Sequence, residues 1–214
     1  MPGILRDPLL IVYFAVALLL SLAIHEASHA FTADQLGDPT ARSLGRLTLN
    51  PIAHLDTAGT IALIVSSLFG YGIGWGKPVP VNPNNLRRGP LATLPNGPLV
   101  GMAIVALAGP VSNLLQAVIG AQVLRANVLP AQFVSTYVFV NVLLAVFNMI
   151  PIPPLDGYRV LLGLLPTKPA YTLARFEAFG PGVLILLVFM LPSVLESILS
   201  IFGGPILHLI VGTV

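Results

Sequence analysis

Residues 9–33 read LLIVYFAVALLLSLAIHEASHAFTA, an almost unbroken apolar run in which His25, Glu26 and His29 come only in the last third. A helix over this stretch would rise about 1.5 Å per residue, which is enough to cross the hydrocarbon core of a bilayer. The stretch therefore predicts a membrane-spanning helix with three ionisable side chains at membrane depth, where such residues usually serve a function.

The three ionisable residues form the pattern His-Glu-x-x-His. On a helix, His25 and His29 project from the same face, one turn apart. Two imidazoles so placed can share one Zn²⁺, and Glu26 can act as general base on the water that the metal holds. Hydrolysis of a peptide bond needs this help, because its carbonyl must be polarised and neutral water is a poor nucleophile. The pattern predicts a hydrolytic zinc site with one Zn²⁺ per chain.

The composition indicates an all-α integral membrane protein. The 214 residues are 56% hydrophobic and 8% charged, whereas about a quarter of a soluble domain is charged. The absence of cysteine excludes disulfides, a thiol nucleophile and cysteine-ligated metal. A net charge of +2 without a Lys/Arg run predicts no nucleic-acid partner. The N-terminus lacks the features of a cleaved signal peptide, so we expect the first span to be retained.

The apolar segments predict one membrane-embedded domain over residues 1–214, with a core at 9–165 and accessory C-terminal helices at 181–214. The apolar segment 58–73 is too short to cross, so it is predicted to be re-entrant, and the Gly/Pro-rich chain that follows to residue 82 is predicted to be extended. A short apolar tail is expected at the C-terminus. The predicted full spans and the tail are 9–33, 98–124, 131–150, 181–202 and 204–214.

A catalytic zinc site needs a third protein ligand and one open position. Asp156 stands out among the candidates, because the prolines at 151–154 break the preceding helix and give it a fixed, non-helical presentation. It can meet the histidines only if the first span and the span at 131–150 run in the same direction, which the re-entrant path allows. The candidates are His54, Asp56, Asp156, Glu177, Glu196 and His208.

The basic residues give an independent argument for the same topology. With a re-entrant segment, only Arg6 and Arg125 lie on one side of the membrane, and the positive-inside rule makes the other side the cytoplasm. If residues 58–73 crossed the membrane fully, the remaining basic residues would be divided between its two sides. We therefore expect a cell-membrane protein with its site towards the cytoplasm. The remaining basic residues are Arg42, Arg46, Lys77, Arg87, Arg88, Arg159, Lys168 and Arg175.

Three ordered motifs resemble the site-2 protease family of intramembrane zinc metalloproteases: HEASH at 25–29, AGPVSN at 108–113 and NMIPIPPLDG at 148–157. The segment GWGKPVPVN at 74–82 resembles a compact bacterial and archaeal branch without PDZ or CBS domains. The resemblance covers about residues 9–165. It implies an intramembrane zinc endopeptidase that acts in regulated intramembrane proteolysis.

The resemblance also implies roles for individual residues. His25, His29 and Asp156 would bind zinc, Glu26 would be the general base, and Asn148 would contact the substrate or the oxyanion. The substrate would be a transmembrane helix of another membrane protein, which must unwind before its amides can be attacked.

We expect the extended chain at 75–81, with Trp75, Lys77 and Val79, to hold the unwound substrate by backbone pairing. Asn113 or Asn148 would donate to the developing oxyanion. One alternative is a non-catalytic zinc-binding membrane protein, such as a transporter or an adaptor, although the sequence shows no repeated halves. Another is an unrelated membrane zinc peptidase with Glu177 or Glu196 as its third ligand.

Overall fold

The computed structural model describes residues 7–57, 59, 61, 76–86 and 89–212. These residues are mainly helical and contain no β-strand, as the composition predicts; an isolated antiparallel bridge pairs Leu55 with Gly76. Short 3₁₀ turns occupy Pro51–His54, Pro83–Asn85, Gly89–Ala92 and Arg175–Phe179. The helices are α1 (Pro8–Gln35), α2 (Thr40–Ser43), α3 (Gly97–Ala126), α4 (Ala131–Asn148), α5 (Asp156–Leu164), α6 (Thr167–Ala174), α7 (Gly180–Met190) and α8 (Pro192–Val211).

Among the described residues, α1, α3, α4 and α8 are long and apolar enough to cross a membrane, which confirms the predicted number of spans. The last span differs from its predicted position at 181–202. The chain breaks at Leu191, and a new helix begins at Pro192, whose missing N–H suits the start of a helix but not its interior. The predicted tail at 204–214 is therefore mostly the C-terminal half of α8.

Two contacts show that α1 and α4 run in the same direction. Near their N-termini, the rings of Tyr13 and Phe133 lie 5.5 Å apart. Near their C-termini, His25 lies 3.2 Å from Asp156, which follows the end of α4. The two helices are therefore parallel, as a metal site built from His25 and Asp156 requires.

Helix α3 runs in the opposite direction between these two helices. Its Val105 bonds to His29 and its Asn113, two turns later, bonds to His25, so α3 enters beside the C-terminal half of α1. Arg125, at the far end of α3, donates to the carbonyl of Ile210 in α8. The connection between α1 and α3 thus begins and ends on one side of the domain. The predicted re-entrant segment at 58–73 and the residues Arg87 and Arg88 lie almost wholly outside the described residues.

The segment 76–86 is attached to the end of α1 by a buried carboxylate. Asp38 accepts hydrogen bonds from the Asn82 N–H at 2.7 Å, the Asn85 side-chain amide at 2.9 Å and the Thr40 N–H at 3.2 Å. Burial raises the pKa of Asp38, but the hydrogen bond from the Thr40 hydroxyl, together with the three above, favours the ionised form more strongly and holds the pKa below its ordinary value. Asp38 therefore fixes this segment beside the histidine-bearing part of α1.

Candidate metal centre and active site

Three side-chain atoms that could ligate a metal, from His25, His29 and Asp156, converge beside the C-terminal part of α1. The Nε2 atoms of His25 and His29 lie 3.0 Å apart, and the Asp156 Oδ2 lies 3.2 and 3.3 Å from them. Both histidines are buried, with 3% and 7% of their surfaces exposed. Close packing of Gly157 positions Asp156, because a Cβ on this glycine would lie 2.2 Å from the Met149 carbonyl oxygen.

The chemistry and spacing of these atoms fit a metal ion. Tetrahedral zinc with bonds of about 2.0–2.1 Å to nitrogen and oxygen places its ligand atoms about 3.3 Å apart, close to the three separations observed. Within the described part of the chain, the buried Asp156 Oδ2 has no hydrogen-bond donor, an arrangement that a cation would satisfy. Among the described residues, His25, His29 and Asp156 form the group that could hold a metal.

The other nitrogen of each imidazole is held by helix α3. The Nδ1–H of His29 donates to the Val105 carbonyl at 2.7 Å, and the Nδ1–H of His25 donates to the Asn113 Oδ1 at 2.5 Å. A carbonyl can only accept, so the neutral imidazole of His29 carries its proton on Nδ1 and leaves Nε2 unprotonated towards the centre. This is the form of imidazole that binds metal.

Glu26 lies beside the histidines on a cavity of about 580 Å³ that His25, His29 and Asp156 also line. Its Oε2 accepts the Val79 N–H at 3.1 Å. A carboxylate oriented in this way, next to a candidate metal centre, can exchange a proton with a molecule bound in the cavity.

The two asparagines predicted as site residues, Asn113 and Asn148, occupy different positions. Asn148 lines the cavity, where its Nδ2 donates to the Leu144 carbonyl of its own helix at 3.0 Å. Asn113 lies behind His25, is fully buried, and has both ends of its amide engaged inside the protein. The position of Asn113 does not match the predicted contact with a substrate or an oxyanion.

The chain predicted to pair with the substrate, residues 75–81, reaches the cavity wall but does not form a strand in its described part, 76–81. Val79 lines the cavity, but its N–H is engaged by Glu26, and residues 77–82 form no strand. The side chain of Lys77 is exposed, and its backbone N–H donates to the His54 carbonyl at 2.8 Å. Trp75 lies outside the described residues. A sequence rich in proline and valine indicates an extended chain but not its hydrogen-bond partner.

The alternative third ligands lie elsewhere. Glu177 lies 3.3 Å from the Arg159 guanidinium, and Glu196 is exposed on α8. His54 is buried, and its Nε2 donates to the Thr48 carbonyl at 2.9 Å.

Sequence reasoning missed the contributions of Asn141, the Val105 carbonyl and α7, whose Leu184 and Ile185 line the cavity. An asparagine inside a membrane span is a recognisable signal. The Val105 carbonyl and the side chains of Leu184 and Ile185 give no such signal, because every residue has a carbonyl and most residues of this chain are apolar.

We predict that Gly109→Ala weakens metal binding. A Cβ at this position would lie 2.5 Å from the His29 Nε2 and from the His25 Cε1, so both imidazoles must move. Overpacking of this kind costs about 1–3 kcal/mol, which corresponds to a roughly 5- to 150-fold loss of affinity if the strain falls on the ligands. Chelator competition measures the affinity. Gly204→Ala, with nothing within 4 Å, is the matched control, and equal affinities for both variants would contradict the prediction.

Taken together, the apolar helices and the buried His₂Asp group define a membrane-embedded protein with a candidate metallopeptidase centre. A family model described as "Peptidase family M50" matches residues 123–191. The chain is 37% identical to YwhC of Bacillus subtilis over 192 residues, which are 84% of this chain and 81% of the relative.

The chain is also 33% identical to Rip2 of Mycolicibacterium smegmatis over 176 residues, which are 79% of this chain and 64% of the relative. Both relatives carry the name "Putative zinc metalloprotease". No solved structure matches the chain. The chain belongs to peptidase family M50, the site-2 protease family.

Proposed function

We propose that this protein is an intramembrane zinc endopeptidase that hydrolyses a peptide bond within a transmembrane segment of another membrane protein. The observation that carries the proposal is the convergence of His25, His29 and Asp156 beside Glu26, on one cavity of an M50-family chain. The three converging residues would hold one Zn²⁺, the metal that the names of both relatives specify. Bound zinc would supply Lewis-acid polarisation and a lowered pKa for water.

Glu26 is proposed as the general base. Its carboxylate would take the proton of the attacking water and later deliver a proton to the leaving amine. The hydrogen bond from the Val79 N–H holds one carboxylate oxygen. A carboxylate has a second oxygen, so this bond can orient Glu26 while the second oxygen handles the proton.

Asn148 is proposed as a donor to the oxyanion. It lies on the cavity wall, and its Nδ2 donates to the Leu144 carbonyl of its own helix. Rotation of this side chain would free the Nδ2 for a substrate, and a donor aimed at developing charge is a large contribution to catalysis.

The substrate is proposed to be an unwound transmembrane helix, because an intact helix keeps its carbonyls and amides in its own hydrogen bonds. The wall formed by Val79 and its neighbours Pro78 and Val81 would lie beside the unwound chain. Pairing of the substrate with Val79 would have to displace the Val79 N–H from Glu26. Such pairing would therefore couple substrate binding to the position of the base.

The orientation is proposed from charge. Arg42 and Arg46 follow the end of α1 nearest the histidines, and Arg46 donates to the carbonyl of Lys77. Arg125 lies at the opposite end of the domain. The positive-inside rule then puts the basic side, and the site below it, towards the cytoplasm of a bacterial or archaeal cell.

Removal of metal tests the proposed function. The purified protein, reconstituted in liposomes with single-span membrane proteins, is expected to cleave within a membrane segment. Treatment with 1,10-phenanthroline should reduce cleavage to background, and added Zn²⁺ should restore it, because the His₂Asp group would lose and regain its ion. Mass spectrometry of the products locates the cut. Cleavage that survives complete chelation would overturn the proposal.

A further inference from the structure

Two buried asparagines connect His25 to the backbone of the neighbouring helix. Asn113 in α3 accepts from the His25 Nδ1–H, and its Nδ2 donates to the Asn141 Oδ1 in α4 at 2.8 Å. The Asn141 Nδ2 in turn donates to the Tyr137 carbonyl at 3.0 Å. Both asparagines are 0% exposed, so their amides depend on partners inside the protein.

We infer that Asn113, oriented by Asn141, is a positioning residue that sets the tautomer and the ring orientation of His25 for metal binding. The inference rests on the proposed function. It gives Asn113 a role through His25 rather than on the substrate.

The Tyr137 carbonyl, at the end of this series of hydrogen bonds, fixes the direction of all of them. The Tyr137 oxygen is a backbone carbonyl and can only accept, so the Asn141 amide must present its nitrogen there and its oxygen to Asn113. Asn113 must then donate through its nitrogen, which leaves its oxygen facing His25. The neutral imidazole therefore carries its proton on Nδ1 and leaves Nε2 free.

The opposite tautomer would be penalised by this arrangement. An unprotonated Nδ1 would face the Asn113 oxygen at 2.5 Å, and two acceptors at this distance repel each other. In a buried, low-dielectric environment that repulsion is not screened. Groups that hydrogen-bond to the other nitrogen of a metal-bound histidine commonly fix its tautomer and orientation in this way.

The two histidines differ in what holds them. His29 donates to the backbone carbonyl of Val105, which no side-chain substitution at that position removes. His25 depends on a side chain, so its orientation can be changed by mutation without altering a ligand. This difference makes the role of Asn113 testable.

The test measures the zinc dissociation constant of the full chain in detergent by competition with a chromophoric chelator. Asn113→Leu keeps a similarly branched side chain but removes the acceptor, and it should weaken zinc binding roughly 10- to 100-fold. Asn113→Asp restores an acceptor for His25 while removing the amide donor, and it should bind zinc within a few-fold of the wild type. Asn141→Leu should have a smaller effect than Asn113→Leu, because the acceptor remains but loses its orienting partner.

Ser112→Ala is the matched control. Ser112 is a buried polar neighbour whose hydroxyl donates to the Gly109 carbonyl at 2.7 Å, so its loss should leave the zinc dissociation constant unchanged. The absorption spectrum of the cobalt-substituted protein reports the geometry of the centre independently of affinity.

The outcomes separate this inference from the proposed function. A wild-type protein that does not compete for zinc overturns the proposed function. A wild-type protein that binds zinc, together with an Asn113→Leu variant that binds it equally well, overturns the inference alone. A folded Asn113→Asp variant that binds zinc as weakly as Asn113→Leu also overturns it, because the acceptor would not be what His25 needs.

Discussion

Glu26→Gln is expected to lower the rate of peptide-bond hydrolysis by about 10²–10⁴-fold while the protein remains folded and loaded with zinc. General acid–base catalysis by a positioned side chain contributes about this factor, and the glutamine amide cannot take up the proton of water. The zinc content should be unchanged, because the converging ligand atoms belong to His25, His29 and Asp156. Cleavage in liposomes and zinc analysis on the same preparation measure the two quantities.

The control for this substitution is Glu196→Gln. Glu196 is exposed on α8 and does not line the cavity, so the same chemical change there should leave cleavage unaltered. Wild-type turnover by Glu26→Gln would show that the proposed base is wrong. Loss of zinc from that variant would instead indicate that Glu26 supports the centre structurally.

Asp156→Ala is expected to weaken zinc binding by at least ~100-fold and to abolish cleavage. Loss of a residue that only orients a metal ligand costs about 10- to 100-fold in affinity, and this substitution removes a proposed ligand itself. The two remaining imidazoles would leave the ion without its anionic partner. Chelator competition measures the affinity, and the liposome assay measures the activity.

Glu177→Ala separates this assignment from the alternative third ligand. Glu177 bonds to Arg159 at 3.3 Å on the partly exposed rim, so its removal should leave the zinc dissociation constant within a few-fold of the wild type. If Glu177→Ala lost zinc and Asp156→Ala kept it, the centre would be assembled from different residues than the structure indicates.

The predictions that depended on short-range geometry agree with the structure. The spacing of His25 and His29 needs only the regularity of one helix to put both imidazoles on the same face. The direction of the spans was also predictable, because a site built from His25 and Asp156 requires α1 and α4 to be parallel.

The boundary of the last span was harder to predict. Residues 181–211 are mostly apolar and contain one charged side chain, Glu196, so composition does not show where one helix stops. A span at 181–202 would have Pro192 in its interior, whereas the structure begins α8 there. Whether a proline kinks a membrane helix or starts a new one depends on the neighbouring helices that satisfy the freed backbone groups.

Hydropathy, local spacing and chain direction were enough to predict the class of the protein, the number of its spans and the residues of the candidate metal centre. That Asn113 faces His25 and that Val79 faces Glu26 became visible only in the folded protein. These contacts depend on how each segment is rotated and docked. In a membrane, lipid is as apolar as the protein interior, so hydropathy does not mark the buried face of a helix. The rotation of α3 is set by packing, with Gly109 pressed against the two imidazoles.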